Sequence, residues 1–473
     1  MTALPLRNIL VGTGWQLLSR LVGASCTLGS LMLLRRAVGE AGFGVYQFFV
    51  TLLMLATALV DFGGVSTAVR EIASAPERKS QVLRHLFLTR LLLSLVAISL
   101  LSKELFAPED PLRRWLLVLC ALRLPLSALS APLALFQAEL RFRVIAASQI
   151  IGFIVFFAGT LLIERAGGRM PEPYLVAWAI GLSCQSIVLF AASLESVRWI
   201  GPVSIRECGR LLREMAPLGI TAFLAFAYLQ VDTVLIRYLK GDRVTGAYND
   251  AFKIVSLVLA VPTYYGQALL PLLSKAWRSG RSSLPESISR SMSLLLAVIL
   301  PAALMAPSVA PQVLRLVWGE CSADSVRSLY WWGFASIAVF LTCPLLQALI
   351  AFERQRDYAW MAAFALLFKI IVGIALIEFF GAPGAAISSA LAEWLVLGWA
   401  LVTVRRVLGR LIFPRLTVPL CLAAIGGALA LALRHLSPLP ATLLAALVQC
   451  AVAAVAVKWM STPRNGWQDI EPP

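Results

Sequence analysis

Nine charged residues stand within or at the edges of otherwise apolar stretches: Arg20, Arg90, Arg123, Lys253 and Lys369 against Asp61, Asp232, Asp250 and Glu393. A charge in hydrocarbon costs about 2.5–3.5 kcal/mol on insertion scales, so such residues usually face a bundle interior or an aqueous cavity. Arg20, Arg90 and Arg123 can each attract a phosphate or an acidic sugar, because the guanidinium fork matches its oxygens. The plainer alternative is snorkelling, or pairing with a helix carbonyl. Lys369 and Glu393 lie 12 positions either side of Gly381. At about 1.5 Å per residue that places both at one depth near the bilayer centre. There they can form an ion pair, which is either structural or a protonatable switch for ion coupling. Asp232, Asp250 and Lys253, with Arg237 in reach, read as an interfacial cluster or as cavity-mouth residues that guide hydroxyls or respond to protons. Asp61 can cap a helix or pair with Arg70. Tyr264, Tyr265 and Gln267 can stack on sugar rings and bond their hydroxyls, or can be core.

The elements that must position these residues follow from composition. The chain has 473 residues, 59% hydrophobic and 14% charged, with a mean hydropathy of +0.83. An ordinary soluble domain is about 45–50% apolar and about 25% charged, so this excess belongs in a membrane. A spanning β-barrel would alternate apolar and polar in segments of about 10 residues, whereas Leu91–Leu101 and Ala441–Val457 are almost continuously apolar. Helices are the expectation. The eight cysteines contain no C-x-x-C pair and there are two histidines, so neither a metal nor a redox site is expected. The sequence contains no P-loop motif, and nothing in it suggests a nucleophile, a cofactor or an ATPase of its own. The 41 Lys and Arg are dispersed along the chain rather than gathered on a basic domain, which argues against nucleic acid as partner.

Apolar windows predict fourteen spans: 15–34, 43–64, 82–101, 115–136, 144–163, 174–193, 216–236, 251–273, 294–314, 329–350, 358–380, 382–404, 416–433 and 439–459. The first is too long for a cleaved signal and lacks an A-x-A-like site. With the N-terminus inside, the inside segments hold 23 Lys and Arg against 13 outside, and net charges of +12 against +3. Cytoplasmic loops are enriched in Lys and Arg, so both termini are predicted to be cytoplasmic. Prolines 125, 132, 262, 271, 301, 307 and 344 are candidate kinks.

An internal repeat organises the chain. At an offset of 202 residues Arg35 matches Arg237, Gly39 matches Gly241, Gly44 matches Gly246 and Tyr46 matches Tyr248. Six spans separate the matched helices, so the halves share one orientation, a parallel repeat in which two lobes enclose a site. The expected lobes are 1–202 and 203–404, followed by two extra helices and a short tail in 405–473.

The stretch Leu33–Tyr46 (LLRRAVGEAGFGVY) followed by Asp61-Phe62-Gly63, and Val231–Ile236 followed by Gly246-Ala247-Tyr248, Ala251–Ile254 and Leu270-Pro271, resemble polysaccharide biosynthesis flippases. These are the O-antigen and exopolysaccharide repeat-unit flippases of the multidrug/oligosaccharidyl-lipid/polysaccharide exporter superfamily. The resemblance covers spans 1–2 and 7–8. It implies two six-helix bundles with spans 1, 2, 7 and 8 lining a central cavity, which would bring Arg20 to that cavity. It also implies alternating-access transfer of an undecaprenyl-pyrophosphate-linked oligosaccharide across a bacterial cytoplasmic membrane, alongside a polysaccharide polymerase and chain-length machinery. The rival is an ion-coupled multidrug antiporter of the same superfamily. A cationic-drug antiporter is expected to use buried acids, and five intramembrane bases against four acids fit an anionic substrate better. A membrane glycosyltransferase would need acidic catalytic residues in a sizeable outside loop, and the predicted outside loops reach only about a dozen residues.

Overall fold

The computed structural model describes residues 6–106, 109–279 and 284–409 and short stretches between 413 and 428, with 6–13 described by backbone alone. Its regular structure is entirely helical there: α1 (Leu6–Asp61), α2 (Gly64–Ser74), α3 (Lys79–Phe106), α4 (Pro111–Ala121), α5 (Arg123–Ser127), α6 (Leu133–Ala138), α7 (Phe142–Arg165), α8 (Pro171–Ser193), α9 (Ile205–Lys240), α10 (Asp242–Ser279), α11 (Leu284–Trp318), α12 (Ala323–Ala351), α13 (Gln355–Phe380) and α14 (Ala382–Leu408). Among the described residues, ten helical stretches are long and apolar enough to cross a membrane, which makes this a multi-pass membrane protein. The first of them contains both spans 1 and 2. Span 14 and half of span 13 lie outside the described residues, as does the C-terminal tail.

The link between spans 1 and 2 is helix rather than loop. It is broken only at Gly39, whose φ of 72° lies in the left-handed region, where glycine carries no Cβ penalty. Its repeat partner Gly241, between α9 and α10, has φ 80°. The equivalent tyrosines Tyr46 and Tyr248, seven residues on in each case, are both buried.

Span 4 departs most from expectation. The run 115–136 is broken into α4, α5, a 3-10 turn at Ala128–Ser130, and α6. Pro125 and Pro132 each lack an N–H, and the hydroxyls of Ser127 and Ser130 turn back onto the carbonyls of Leu124 and Ser127. By contrast the helix runs on through Pro262 and Pro271 in α10, Pro301 and Pro307 in α11, and Pro344 in α12. Two prolines seven residues apart, each lacking an N–H, accompany the break in span 4.

The chain forms two compact units, Met1–Gln230 and Val231–Pro473, the division falling inside α9. In unit 1, α7 and α8 pack closely enough that a Cβ at Gly152 would lie 2.7 Å from the carbonyl oxygen of Gly181, the close backbone approach that small residues permit between membrane helices. A second cluster joins α2, α3, α6 and α9 through Ala68, Ile72, Leu83, Leu86, Leu135, Leu211 and Met215. Unit 2 centres on Leu269, Leu273, Ile288, Leu295, Phe340, Leu345 and Leu349 from α10, α11 and α12, with Leu397 and Val404 of α14. Its α13 and α14 meet at the tight Gly381 turn. With 36 residues, α9 is roughly 54 Å long, well beyond the roughly 30 Å of hydrocarbon, so its polar first turns extend past the span predicted for it.

Candidate functional site

In unit 1 two arginines converge on one face of the second arm of α1. Thr57 and Asp61, four residues apart, stand one above the other on a helix. Arg90 of α3 donates to Asp61 Oδ1 through Nη2, and to Ser130 Oγ at 2.9 Å through Nη1. Arg123, at the start of α5, donates to Thr57 Oγ1, and its guanidinium lies 5.1 Å from the Trp178 ring centroid. Arg90 is buried, while the Asp61 side chain is 40% exposed. In both arginines the Nε–H is buried with no hydrogen-bond partner among the described residues. The break in span 4 is what brings Arg123 and Ser130 to this place. Asp61 therefore takes Arg90 as its partner. The expected alternative, Arg70, lies on α2, beyond the break at Phe62 and Gly63, which both have positive φ.

In unit 2 the polar centre is Asp232 on α9, fully buried. Its Oδ2 accepts from Tyr248 Oη at 2.5 Å, Ser389 Oγ at 2.8 Å and Lys369 Nζ at 2.7 Å. One carboxylate oxygen thus gathers donors from α10, α14 and α13, and Oδ1 is buried without a hydrogen-bond partner among the described residues. The depth argument brought Lys369 level with Glu393; the acid found 2.7 Å from Lys369 is Asp232. The same argument fits the members that were overlooked. Asp232 and Tyr248 lie nine and seven residues either side of Gly241, and Lys369 and Ser389 twelve and eight either side of Gly381. Depth alone does not say which face of a helix meets which neighbour.

The expected interfacial cluster of Asp232, Asp250, Lys253 and Arg237 is divided by burial. Asp232 and Asp250 are sealed inside the unit, Arg237 lies 2.5 Å from Asp242, and Lys253 is half-buried. Along α10, Lys253, Tyr264 and Gln267 share one helical face, since 11 and 14 residues come to nearly whole turns. Tyr264 and Gln267 are exposed on it, while Tyr265 turns to α11 and donates to Ser291 Oγ at 2.9 Å. Arg20 is exposed on α1, next to the buried Ser19, which reaches Gln149 of α7. Thr57, Ser130, Trp178, Tyr248 and Ser389 were not among the sequence candidates; Tyr248 alone had a signal, as a member of the repeat.

Two family models match the sequence: one described as Polysaccharide biosynthesis protein over residues 9–277, and one described as MatE over residues 217–375. No curated protein matches it. Solved structures with a similar fold include Lipid II flippase MurJ in an inward closed conformation, 14% identical, covering 98% of this chain and 99% of that one at a TM-score of 0.75. An inward-facing multidrug resistance MATE family transporter is 14% identical over 82% of this chain and 94% of its own, at 0.63. A MOP superfamily transporter from Pyrococcus furiosus is 13% identical over 85% and 94%, at 0.53. At these identities the likeness is one of fold.

Proposed function

The chain belongs to the polysaccharide biosynthesis protein family, a membrane-transporter family of the multidrug/oligosaccharidyl-lipid/polysaccharide exporter superfamily, and from that membership we propose that it is a flippase for a lipid-linked oligosaccharide. Its substrate is an undecaprenyl-pyrophosphate-linked O-antigen or exopolysaccharide repeat unit, moved from the cytoplasmic to the outer leaflet of a bacterial cytoplasmic membrane by alternating access. The lobes are 1–202 and 203–404, with 405–473 adding two helices, and both termini are cytoplasmic. A polysaccharide polymerase and chain-length machinery act on the product.

The observation that carries this reading is the family match over more than half of the chain. The charges of unit 1 agree with it: two buried guanidiniums, each with an Nε–H unpartnered among the described residues, are matched by the one carboxylate that Arg90 holds, which suits a diphosphate better than a cation. Arg20, Lys253, Tyr264 and Gln267 are the proposed contacts for diphosphate and sugar on the exposed faces of α1 and α10. The match of residues 217–375 to the MatE model favours the second reading, an ion-coupled multidrug antiporter, in which the buried Asp232–Lys369 pair serves coupling rather than structure.

Deleting the gene and restoring it on a plasmid separates the two. A flippase restores surface polysaccharide and relieves accumulation of the lipid-linked unit on the inner leaflet, with drug tolerance unchanged. Restored tolerance to cationic drugs with unchanged polysaccharide would overturn the flippase reading.

A further inference from the structure

At the ends of its helices, unit 1 holds a cavity of about 760 Å³, within the roughly 300–1,000 Å³ typical of small-molecule sites. Three helical segments build it, each with residues at i, i+3, i+4 and i+7: Thr67, Arg70, Glu71 and Ser74 of α2; Arg78, which ends the 3-10 turn leading into α3, with Gln81, Val82 and His85 of α3; Glu207, Arg210, Leu211 and Glu214 of α9. That spacing is one helix face. The adjoining faces of the same helices supply Ala68, Ile72, Leu83, Leu86 and Met215 to the apolar cluster beneath, so a polar chamber stands on an apolar floor. His85 closes the wall, its Nε2 accepting from the Ser204 backbone N–H at 3.2 Å.

The charges of the chamber are unequally paired. Arg210 alone lies within 4 Å of all three acids, at 2.9 Å from Glu207, 3.7 Å from Glu71 and 3.8 Å from Glu214. The guanidiniums of Arg70 and Arg78 are left without an ion-pair or hydrogen-bond partner among the described residues. A second observation is independent of charge. Thr57, Thr89, Thr160 and Thr245 each return their hydroxyl to the carbonyl four residues back, the usual fate of a helical threonine. Thr67 does not: it is 3% exposed and its Oγ1 has no hydrogen-bond partner among the described residues. An unsatisfied hydroxyl at that burial is unfavourable, and it belongs to a residue that lines the chamber.

We infer that this cavity binds a hydroxylated phosphate ester, with Arg70 and Arg78 holding the phosphate, Thr67 donating to it, and the carboxylates gathered by Arg210 accepting the hydroxyls. Two free forks give the bidentate geometry that phosphate oxygens take, and fixed carboxylates beside them favour a polyol over an inorganic anion. Such a group arrives either as the glycerophosphate head of an anionic phospholipid or as a glycosyl phosphate. The site rests on unit 1 alone and stands whether or not the chain proves to be a flippase.

The test uses the full chain in phosphatidylcholine nanodiscs, titrated with glucose 1-phosphate and with glucose. Native mass spectrometry in a second arm counts the phosphatidylglycerol retained from mixed nanodiscs. Glucose 1-phosphate is expected to bind at least tenfold more tightly than glucose, and to weaken with added salt. The R70Q/R78Q variant should lose tenfold or more and T67V several-fold. Both arginines are exposed, so the double variant keeps its fold, verified by an unchanged melting temperature; R78Q alone is the substitute should it not. Phosphatidylglycerol retention that falls in R70Q/R78Q, without glucose 1-phosphate binding, supports the site and assigns the lipid as source. Equal binding of glucose and glucose 1-phosphate overturns the inference. So does R70Q/R78Q behaving as wild type in both arms.

Discussion

Lys369 Nζ stands 2.7 Å from Asp232 Oδ2, with both side chains almost fully buried in unit 2. Neither charge is tolerable there without the other, because an isolated ion in low dielectric keeps its desolvation cost while losing the attraction that offsets it. Tyr248 and Ser389 donate to the same oxygen, so side chains from four helices meet at one carboxylate.

Removing one partner should therefore cost more than removing both. Lys369→Met leaves a buried carboxylate with two neutral donors, and the expected loss is about 3–5 kcal/mol. Adding Asp232→Asn should recover most of it, since an amide and a thioether carry no net charge. Denaturant titration of the purified protein in detergent measures the cycle. If the double variant is less stable than Lys369→Met, the two charges are not coupled as the geometry requires. Export read alongside tests the coupling role: a stable double variant that still exports its polysaccharide makes the pair structural.

Arg123 and Arg20 give the sharpest test of an anionic substrate. Each can donate charge-assisted hydrogen bonds, worth about 1.5–3 kcal/mol, so Arg123→Ala and Arg20→Ala should each lower polysaccharide export by roughly tenfold or more at matched membrane abundance. Lysine at either position should rescue only in part, because the fork is lost. Normal export at matched abundance would remove that residue from the substrate path and leave Lys253 as the next candidate.

Much of this architecture was legible as hydropathy, which fixes where helices run but not how their faces meet. Eleven of the twelve spans from 15–34 to 382–404 fall in long apolar helices, span 4 being the exception, and Gly39 and Gly241 both have positive φ at the matched links. The interruption of span 4 escaped because Leu122, Leu124 and Leu126 keep the window apolar while Pro125 and Ser127 end the helix. The same limit governs the site. Asp61 and Arg90 were both conspicuous as charges, yet their pairing depends on α3 lying against α1, a tertiary fact with no period in the sequence. Thr67 was invisible for the opposite reason: a threonine in a helix draws notice only once its carbonyl partner proves to be absent.

The crossing of α7 and α8 should be intolerant of bulk. A Cβ at Gly152 would come 2.7 Å from Gly181 O and 3.2 Å from Gln185 Cβ, and the first of these is backbone, which yields only if a helix moves. Gly152→Leu is expected to cost at least about 1–3 kcal/mol, seen as a lower melting temperature and reduced membrane abundance. Gly209→Ala, where a Cβ meets nothing within 4 Å, is the matched control and should change neither. Equal behaviour of the two variants would mean that the helices cross elsewhere.

Orientation is the last expectation, and it rests on the charge of the connections. Inside segments net +12 against +3 outside, and Lys and Arg are retained on the cytoplasmic side during insertion. With an even number of spans the C-terminus returns to the side of the N-terminus, so a reporter fused after Lys458 should be active only as a cytoplasmic fusion. An independent measurement uses Cys321, which lies between α11 and α12, partly exposed, in a connection that the charge count assigns to the outside. In a variant retaining only that cysteine, a membrane-impermeant maleimide should label intact cells. A cysteine placed at Arg206, at the opposite end of α9 from Gly241, should label only after permeabilisation. Labelling of position 206 in intact cells, together with a periplasmically active fusion at Lys458, would invert the topology and place the Arg70–Arg78 chamber on the outer face.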